Sequence, residues 1–173
     1  VHGAELKSMK DKKTEVDYMW CADPQYYGRT SPNLFPIVGS LREKKYRYDG
    51  REYGMGQHGF VRDMDWSMEQ ISGTELDCMV EATEETLRVY PFRFRIRIHY
   101  LLNGRTLKIT WTIENRDSKK MYYSFGGHPC FTCPIHGEAD KVGYGYDFHK
   151  EGDLTFYRND GETGLFLKEA NRM

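Results

Sequence analysis

The stretch FRFRIRIHYLLNGRTLKITWTIE, residues 92–114, decides the architecture. Phe92, Phe94, Ile96, Ile98, Tyr100 and Leu102 alternate with Arg93, Arg95, Arg97 and His99. Past Asn103-Gly104 the alternation resumes, with Leu107, Ile109, Trp111 and Ile113 between Lys108, Thr110, Thr112 and Glu114. Side chains of a strand point to opposite faces with period two, so each run is a strand with one buried face. Asn-Gly between such runs predicts a hairpin, because both central residues of a type I′ turn need positive φ. A two-residue loop at 103–104 pairs Tyr100 with Leu107, Ile98 with Ile109, Ile96 with Trp111 and Phe94 with Ile113. Every apolar residue then lies on one face.

The same grammar extends along the chain. Over 64–82, a three-residue loop ending at Thr74 pairs Met68 with Cys78, Trp66 with Val80 and Met64 with Ala82. Tyr46 and Tyr48, then Asp49-Gly50, then Tyr53 predict a third hairpin. Shorter strands fit 4–9, 15–20, 121–126, 153–158 and 164–168. Helix signals are poor, and a turn near 24–29 is the best of them. Many short antiparallel strands predict an all-β sandwich or barrel. No linker or repeat divides residues 1–173, which read as one domain.

Composition narrows the partners. The 173 residues are 39% hydrophobic and 14% aromatic, enough for a buried core. No apolar run approaches the roughly 20 residues of a membrane-spanning helix, and no secretory leader is visible at the start. With 25 basic and 26 acidic residues interspersed, the formal charge is −1. That balance predicts no nucleic-acid and no membrane partner, and favours a small neutral ligand. Four cysteines are too few for a disulfide scaffold and point to the reducing cytoplasm.

Two segments break the strand pattern: Gly54-Met55-Gly56-Gln57-His58-Gly59-Phe60-Val61-Arg62 and Ser124-Phe125-Gly126-Gly127-His128-Pro129-Cys130-Phe131. Each sets a histidine among glycines, which permit close approach of backbone and ligand but weaken strands. Either alone is more often a surface histidine than a catalyst. Together with "F-P-I-V-G" at 35–39 and "H-G-A-E-L-K-S" at 2–8, "G-Q-H-G-F-x-R" at 56–62 and "G-G-H-P-x-F" at 126–131 resemble the aldose 1-epimerase superfamily, in its bacterial branch of uncertain sugar specificity.

The resemblance implies a large β-sandwich (a supersandwich) with a sugar cleft, and interconversion of hexose anomers at C1. That reaction opens a cyclic hemiacetal, rotates the freed carbonyl and recloses the ring. An acid must protonate the ring oxygen while a base takes the anomeric hydroxyl proton, roles that suit an imidazole and a carboxylate. No cofactor is required. The resemblance implies His128 as the proton donor and His58 as a group near the same oxygen. Gln57 and Arg62 would bind sugar hydroxyls, and the planar donor fork of arginine suits that task. The family usually carries an Arg after the Gly of "V-G", where this chain has Ser40; Arg42 is its substitute. Family chains also continue through strands that supply a sugar-binding Asp and a catalytic Glu, the latter near "C-I-E-P-W". Neither occurs before Met173, and Glu162 and Glu169 lack that context. The resemblance therefore implies an incomplete, N-terminal portion of the fold, inactive alone, with exposed strand edges.

Three alternatives compete. A hexose-6-phosphate epimerase would gather arginines on the phosphate, with Arg29, Arg42 and Arg62 as candidates. A non-catalytic sugar-binding module would keep the cleft without the Glu. Cys130, Cys133 and His136 have the ligand types for zinc, but no second C-x-x-C accompanies them. The expectation is no metal, with both cysteines as small core residues. His99, among arginines on the polar strand face, reads as solvated. Tyr18, Trp20, Tyr26 and Tyr27 are aromatic candidates for stacking on a sugar.

Overall fold

The computed structural model describes residues 1–135, 137, 141–149, 151–163 and 165–172. Ten strands and one short α-helix are defined among them: β1 (Asn33–Leu34), β2 (Lys45–Tyr48), β3 (Arg51–Gly54), β4 (Ser67–Ser72), β5 (Glu75–Glu81), α1 (Glu84–Val89), β6 (Phe94–Asn103), β7 (Thr106–Asn115), β8 (Gly126–Gly127), β9 (Thr155–Asn159) and β10 (Phe166–Arg172). Every strand pairing is antiparallel, so the all-β class holds. Two compact units form, each from separated stretches: Val1–Glu5 with Pro32–Gly127, and Leu6–Ser31 with His128–Met173.

In the first unit, β4-β5-β6-β7 make one sheet in that order. The β6–β7 hairpin exists, but its register differs from the expected one. Ile98 faces Trp111, Tyr100 faces Ile109 and Leu102 faces Leu107, around a two-residue Gly104-Arg105 loop. Gly104 has φ 59°, and Arg105 is not left-handed; glycine at the first central position is the II′ signature. A two-residue slip leaves every side chain on its face, so alternation could not choose between the two pairings.

The β4–β5 hairpin sets Met68 opposite Cys78 as expected. Its loop is only Gly73-Thr74, because the register steps between Gln70 and Ser72 and Ile71 bulges out. The Asp49-Gly50 hairpin joins β2 and β3, with Tyr46 opposite Tyr53 and both turn residues at positive φ (48° and 72°).

One face of β5 and β6 builds the core. Cys78, Val80, Phe94, Ile96 and Ile98 are buried there with Phe35, Val61, Trp66, Tyr90 and Phe92. Trp66 buries its indole only because Nε1 donates to the Val61 carbonyl at 3.0 Å. The outer strand β4 is exposed along its whole length.

On the opposite face, Arg97 and His99 do not lie loose in solvent. Asp77 accepts from Arg97 Nε at 2.7 Å and lies 2.7 Å from His99 Nδ1, while His99 Nε2 is 3.2 Å from Glu75. Facing residues of adjacent strands create this cluster: Asp77 sits opposite His99, and Glu75 opposite Leu101.

The helix was unforeseen. Thr83 caps it by accepting from the Thr86 N–H, and the Thr86 hydroxyl accepts from the Thr83 N–H in return. This is a capping box with Thr in place of the usual Glu or Gln. Conversely, 4–9, 15–20 and 121–126 are not strands. Ala4 and Glu15 have φ of 45° and 58°, which breaks extended backbone. Around 15–20 only the single bridges Lys10–Asp17 and Met19–Phe131 form, and near 121–126 only Gly126–Gly127 pairs, with Leu34 and Asn33.

In the second unit, β9 and β10 form a hairpin near the expected 153–158 and 164–168 strands. Asp17 organises the early loop, accepting from Ser8 Oγ at 2.7 Å and from the Met9 N–H at 3.0 Å.

Candidate functional site

Within the first unit, segments far apart in sequence meet. The Phe35 carbonyl accepts from the Phe60 N–H at 3.0 Å, the Gly39 carbonyl accepts from the His58 N–H at 2.8 Å, and the Pro36 carbonyl accepts from the Ser124 N–H at 2.9 Å. Ser124 Oγ accepts in turn from the Val38 N–H at 3.2 Å. The stretches 35–39, 56–62 and 124–127 thus share one hydrogen-bonded cluster. Gly59 permits it: a Cβ there would stand 2.1 Å from the Phe35 oxygen. A Cβ at Gly126 would press on Val38 at 3.2 Å.

His58 is half-buried and left-handed, with φ 64°. Such a conformation costs a non-glycine residue about 1–2 kcal/mol. Its Nδ1 accepts from the Gly39 N–H at 3.0 Å, which orients the ring and leaves Nε2 as the proton-bearing nitrogen of the neutral form.

Gln57 is exposed, and its carbonyl accepts from Arg62 Nη2 at 2.9 Å. Arg62 Nε lies 3.6 Å from Asp63, and only 18% of the side chain is exposed. Arg62 is therefore engaged with the loop that carries Gln57 and His58. Arg42 is exposed in a 3₁₀ turn, Arg42–Lys44, whose next residues Glu43 and Lys44 have φ of 55° and 54°. Arg29 belongs to the other unit.

His128 opens the C-terminal part of the second unit. It is exposed, with its ring against Tyr27 at 5.6 Å between centroids and an interplanar angle of 39°. Cys130 Sγ lies 3.7 Å from His128 Nδ1 and donates to the His128 carbonyl at 3.7 Å. Trp20 steadies Tyr27 by donating from Nε1 to its carbonyl at 2.8 Å. Of the aromatic candidates, Tyr27 is the one against a site histidine, while Tyr26 packs edge-on against Trp20 and is 75% exposed.

Cys130 and Cys133 are not core residues. Cys133 is exposed and Cys130 half-buried; Cys78 is the one in the core. The backbone of Cys130 is tied to Thr30 and Trp20, which holds the segment at the surface. His136 lies outside the described residues, and among those described no group of three His, Cys, Asp or Glu is placed to hold a metal. Nor is any helix among them long and apolar enough to cross a membrane.

The family model for aldose 1-epimerase matches residues 1–166. The chain belongs to the aldose 1-epimerase family. The LacX protein of Lactococcus lactis subsp. lactis, in its chromosomal form, is 33% identical to this chain over 169 residues, covering 94% of this chain and 56% of LacX. A galactose mutarotase related enzyme from Lactobacillus acidophilus superposes with a TM-score of 0.89 at 32% identity, covering 99% of this chain and 57% of that one. A galactose mutarotase-like protein from Lactobacillus casei ATCC 334 is 35% identical with a TM-score of 0.73, over 75% of this chain and 44% of its own. The fold is thus the galactose mutarotase-like β-sandwich expected from the sequence. This aldose 1-epimerase family chain spans about half the length of the relatives it matches.

What the sequence did not disclose are the partners of the two histidines. Gly39 was visible only as part of "F-P-I-V-G", and Cys130 only as half of a C-x-x-C. The Gly39–His58 contact joins separated segments, and the Cys130 thiol meets His128 through the shape of their own loop; no side-chain period encodes either.

Proposed function

We propose that this sequence serves an aldose 1-epimerase reaction, interconverting the anomers of a hexose by acid–base ring opening at C1. The observation that supports it is the cluster of 35–39, 56–62 and 124–127, in which Gly39 is paired with His58, and Pro36 and Val38 with Ser124. A loop held in a strained conformation about a histidine is a frequent mark of function.

In this reading His128 gives its proton to the ring oxygen as the C1–O bond opens, and takes it back on closure. His58, its Nδ1 occupied by Gly39, carries its hydrogen on Nε2 and is the second histidine that the resemblance assigns to the sugar. Gln57 and Arg42, both exposed, bind hydroxyls. Arg62 holds the Gln57 backbone through Nη2, and its planar donor fork suits the hydroxyl-binding role that the resemblance gives it. The proton of the anomeric hydroxyl goes to a carboxylate base, the role the family gives to its Glu. The cysteine usage supports a cytoplasmic setting.

Polarimetry of freshly dissolved α-D-glucose and α-D-galactose tests the reading. Residues 1–173 alone are expected to leave mutarotation at background; in a protein that joins them to the carboxylate, His128→Ala is expected to slow mutarotation by about 10²–10⁴-fold, the usual contribution of a general acid. A variant retaining the full rate removes His128 from the mechanism and defeats the assignment.

A further inference from the structure

The left-handed backbone of His58 has to be held from outside, because such a conformation relaxes unless its surroundings over-determine it. The segment 35–39 does the holding, and it is gripped along two sides. Phe35 and Gly39 face the histidine loop. The Phe35 carbonyl accepts from the Phe60 N–H at 3.0 Å, and Gly39 exchanges two hydrogen bonds with His58, at 2.8 and 3.0 Å. Pro36 and Val38 face Ser124 instead. The Ser124 N–H donates to the Pro36 carbonyl at 2.9 Å, and Ser124 Oγ accepts from the Val38 N–H at 3.2 Å. The first of these bonds belongs to the backbone; the second depends on the hydroxyl. Only the two soft dihedrals of Val38 separate the amide that Ser124 holds from the Gly39 amide that meets the imidazole. Val38 itself is confined, since a Cβ at Gly126 would stand 3.2 Å from its Cγ2.

We propose that Ser124 is a positioning residue for His58, setting the Gly39 amide that orients the imidazole. The inference rests on the proposed reaction for its catalytic purpose, His58 being one of the two histidines given to the sugar. With the Val38 amide held, the Gly39 N–H meets Nδ1 and Nε2 keeps one direction. Without the hydroxyl, Val38 and Gly39 gain freedom, the bond to Nδ1 loosens and the ring samples other rotamers.

The test has two readouts. On residues 1–173 at about pH 8.5, where an ordinary imidazole is neutral, ¹⁵N–¹⁵N coupling across the Gly39 N–H···Nδ1 bond reports that contact directly. Wild type should show the coupling, and Ser124→Ala should lose at least half of it. Ser124→Thr, which keeps an accepting oxygen, should restore it. Position 124 is exposed, so neither variant repacks the core. In a protein that joins these residues to the carboxylate, polarimetry should give kcat about three- to tenfold lower in Ser124→Ala, the equivalent of one ordinary hydrogen bond, and recovered in Ser124→Thr. In a His58→Ala background, Ser124→Ala should lower kcat no further, because residues acting through one contact are not additive. An absent coupling in wild type, a coupling undiminished in Ser124→Ala, or a loss of rate that persists in full without His58 overturns the inference and leaves the reaction standing. The expected couplings beside a fully active His58→Ala would instead defeat the part of the reaction given to His58, with the Ser124 clamp reduced to architecture.

Discussion

His58 and Gly39 are joined twice: the His58 N–H donates to the Gly39 carbonyl at 2.8 Å, and the Gly39 N–H donates to His58 Nδ1 at 3.0 Å. Neutral His58 must then carry its hydrogen on Nε2. Imidazole ¹⁵N NMR with two-bond proton correlations should show the Nε2–H pattern for His58. An Nδ1–H signature at His58 would mean that the pair is broken in solution.

The left-handed backbone of His58 gives a separate prediction. His58→Ala and His58→Gly both lose the ring, so comparing them isolates the conformational strain. Glycine should be the more stable variant by about 1 kcal/mol in urea unfolding, since it adopts positive φ freely. Equal stabilities would show that the loop relaxes out of this conformation once the ring is gone.

Gly59 and Gly56 should behave oppositely. A Cβ on Gly59 would lie 2.1 Å from the Phe35 oxygen and 2.7 Å from Pro36 Cδ, whereas one on Gly56 meets nothing within 4 Å. Gly59→Ala is expected to lose roughly 3 kcal/mol or more, because backbone must move, while Gly56→Ala stays within about 0.5 kcal/mol of wild type. Thermal melts of the two variants decide it; a fully stable Gly59→Ala would contradict the close approach of 35–36 to 59.

Asp77 makes folding sensitive to acid. Burial opposes its ionisation, but hydrogen bonds from Arg97 and His99, with the charge of Arg97, outweigh that and hold its carboxyl below the ordinary 3.8. A carboxyl depressed in the folded state contributes stability above its unfolded pKa and loses it as pH falls through the folded one. Asp77→Asn should therefore be less stable than wild type near neutral pH, by about 1 kcal/mol, and the gap should close as pH falls below 3.8 and through the depressed folded pKa. A gap independent of pH would place the loss in packing.

At the alkaline end, burial pushes the Tyr46 phenol up to about 12, helped by neighbouring Tyr53, and raises Tyr90 and Tyr100 as well. Tyr90 and Tyr100 also donate to the carbonyls of Tyr122 and Ala4 at 2.9 Å. These contributions are whole below the ordinary phenol value of 10.0 and are lost as pH rises through the folded values. Phenolate absorbance should show a late-titrating group of tyrosines that ionises together with unfolding. Complete, reversible titration near pH 10 with the fold intact would contradict their burial.

The hairpins were legible where turn chemistry and side-chain period agreed. At Asp49-Gly50 both residues take positive φ, and the strands pair as the sequence predicts. At Asn103-Gly104 the period was read correctly and the partner was not, because a shift of two residues moves no side chain across the sheet. Helix α1 escaped because a six-residue helix presents too little periodicity, leaving only Thr83 and Thr86 as a signal. The histidines stood out through the glycines beside them. The reason for those glycines, such as the Phe35 oxygen beneath Gly59, lies in approaches between distant segments that no local reading supplies.

The displaced Ile71 in β4 has a bearing on how copies of this molecule meet one another. A straight outer strand offers its row of amides as a template on which a second molecule can zip. Here that row is interrupted one residue before the strand ends, and the local coil of the backbone steepens. A kink of this kind at the margin of the sheet makes the outward row of amides a poorer template for a second molecule.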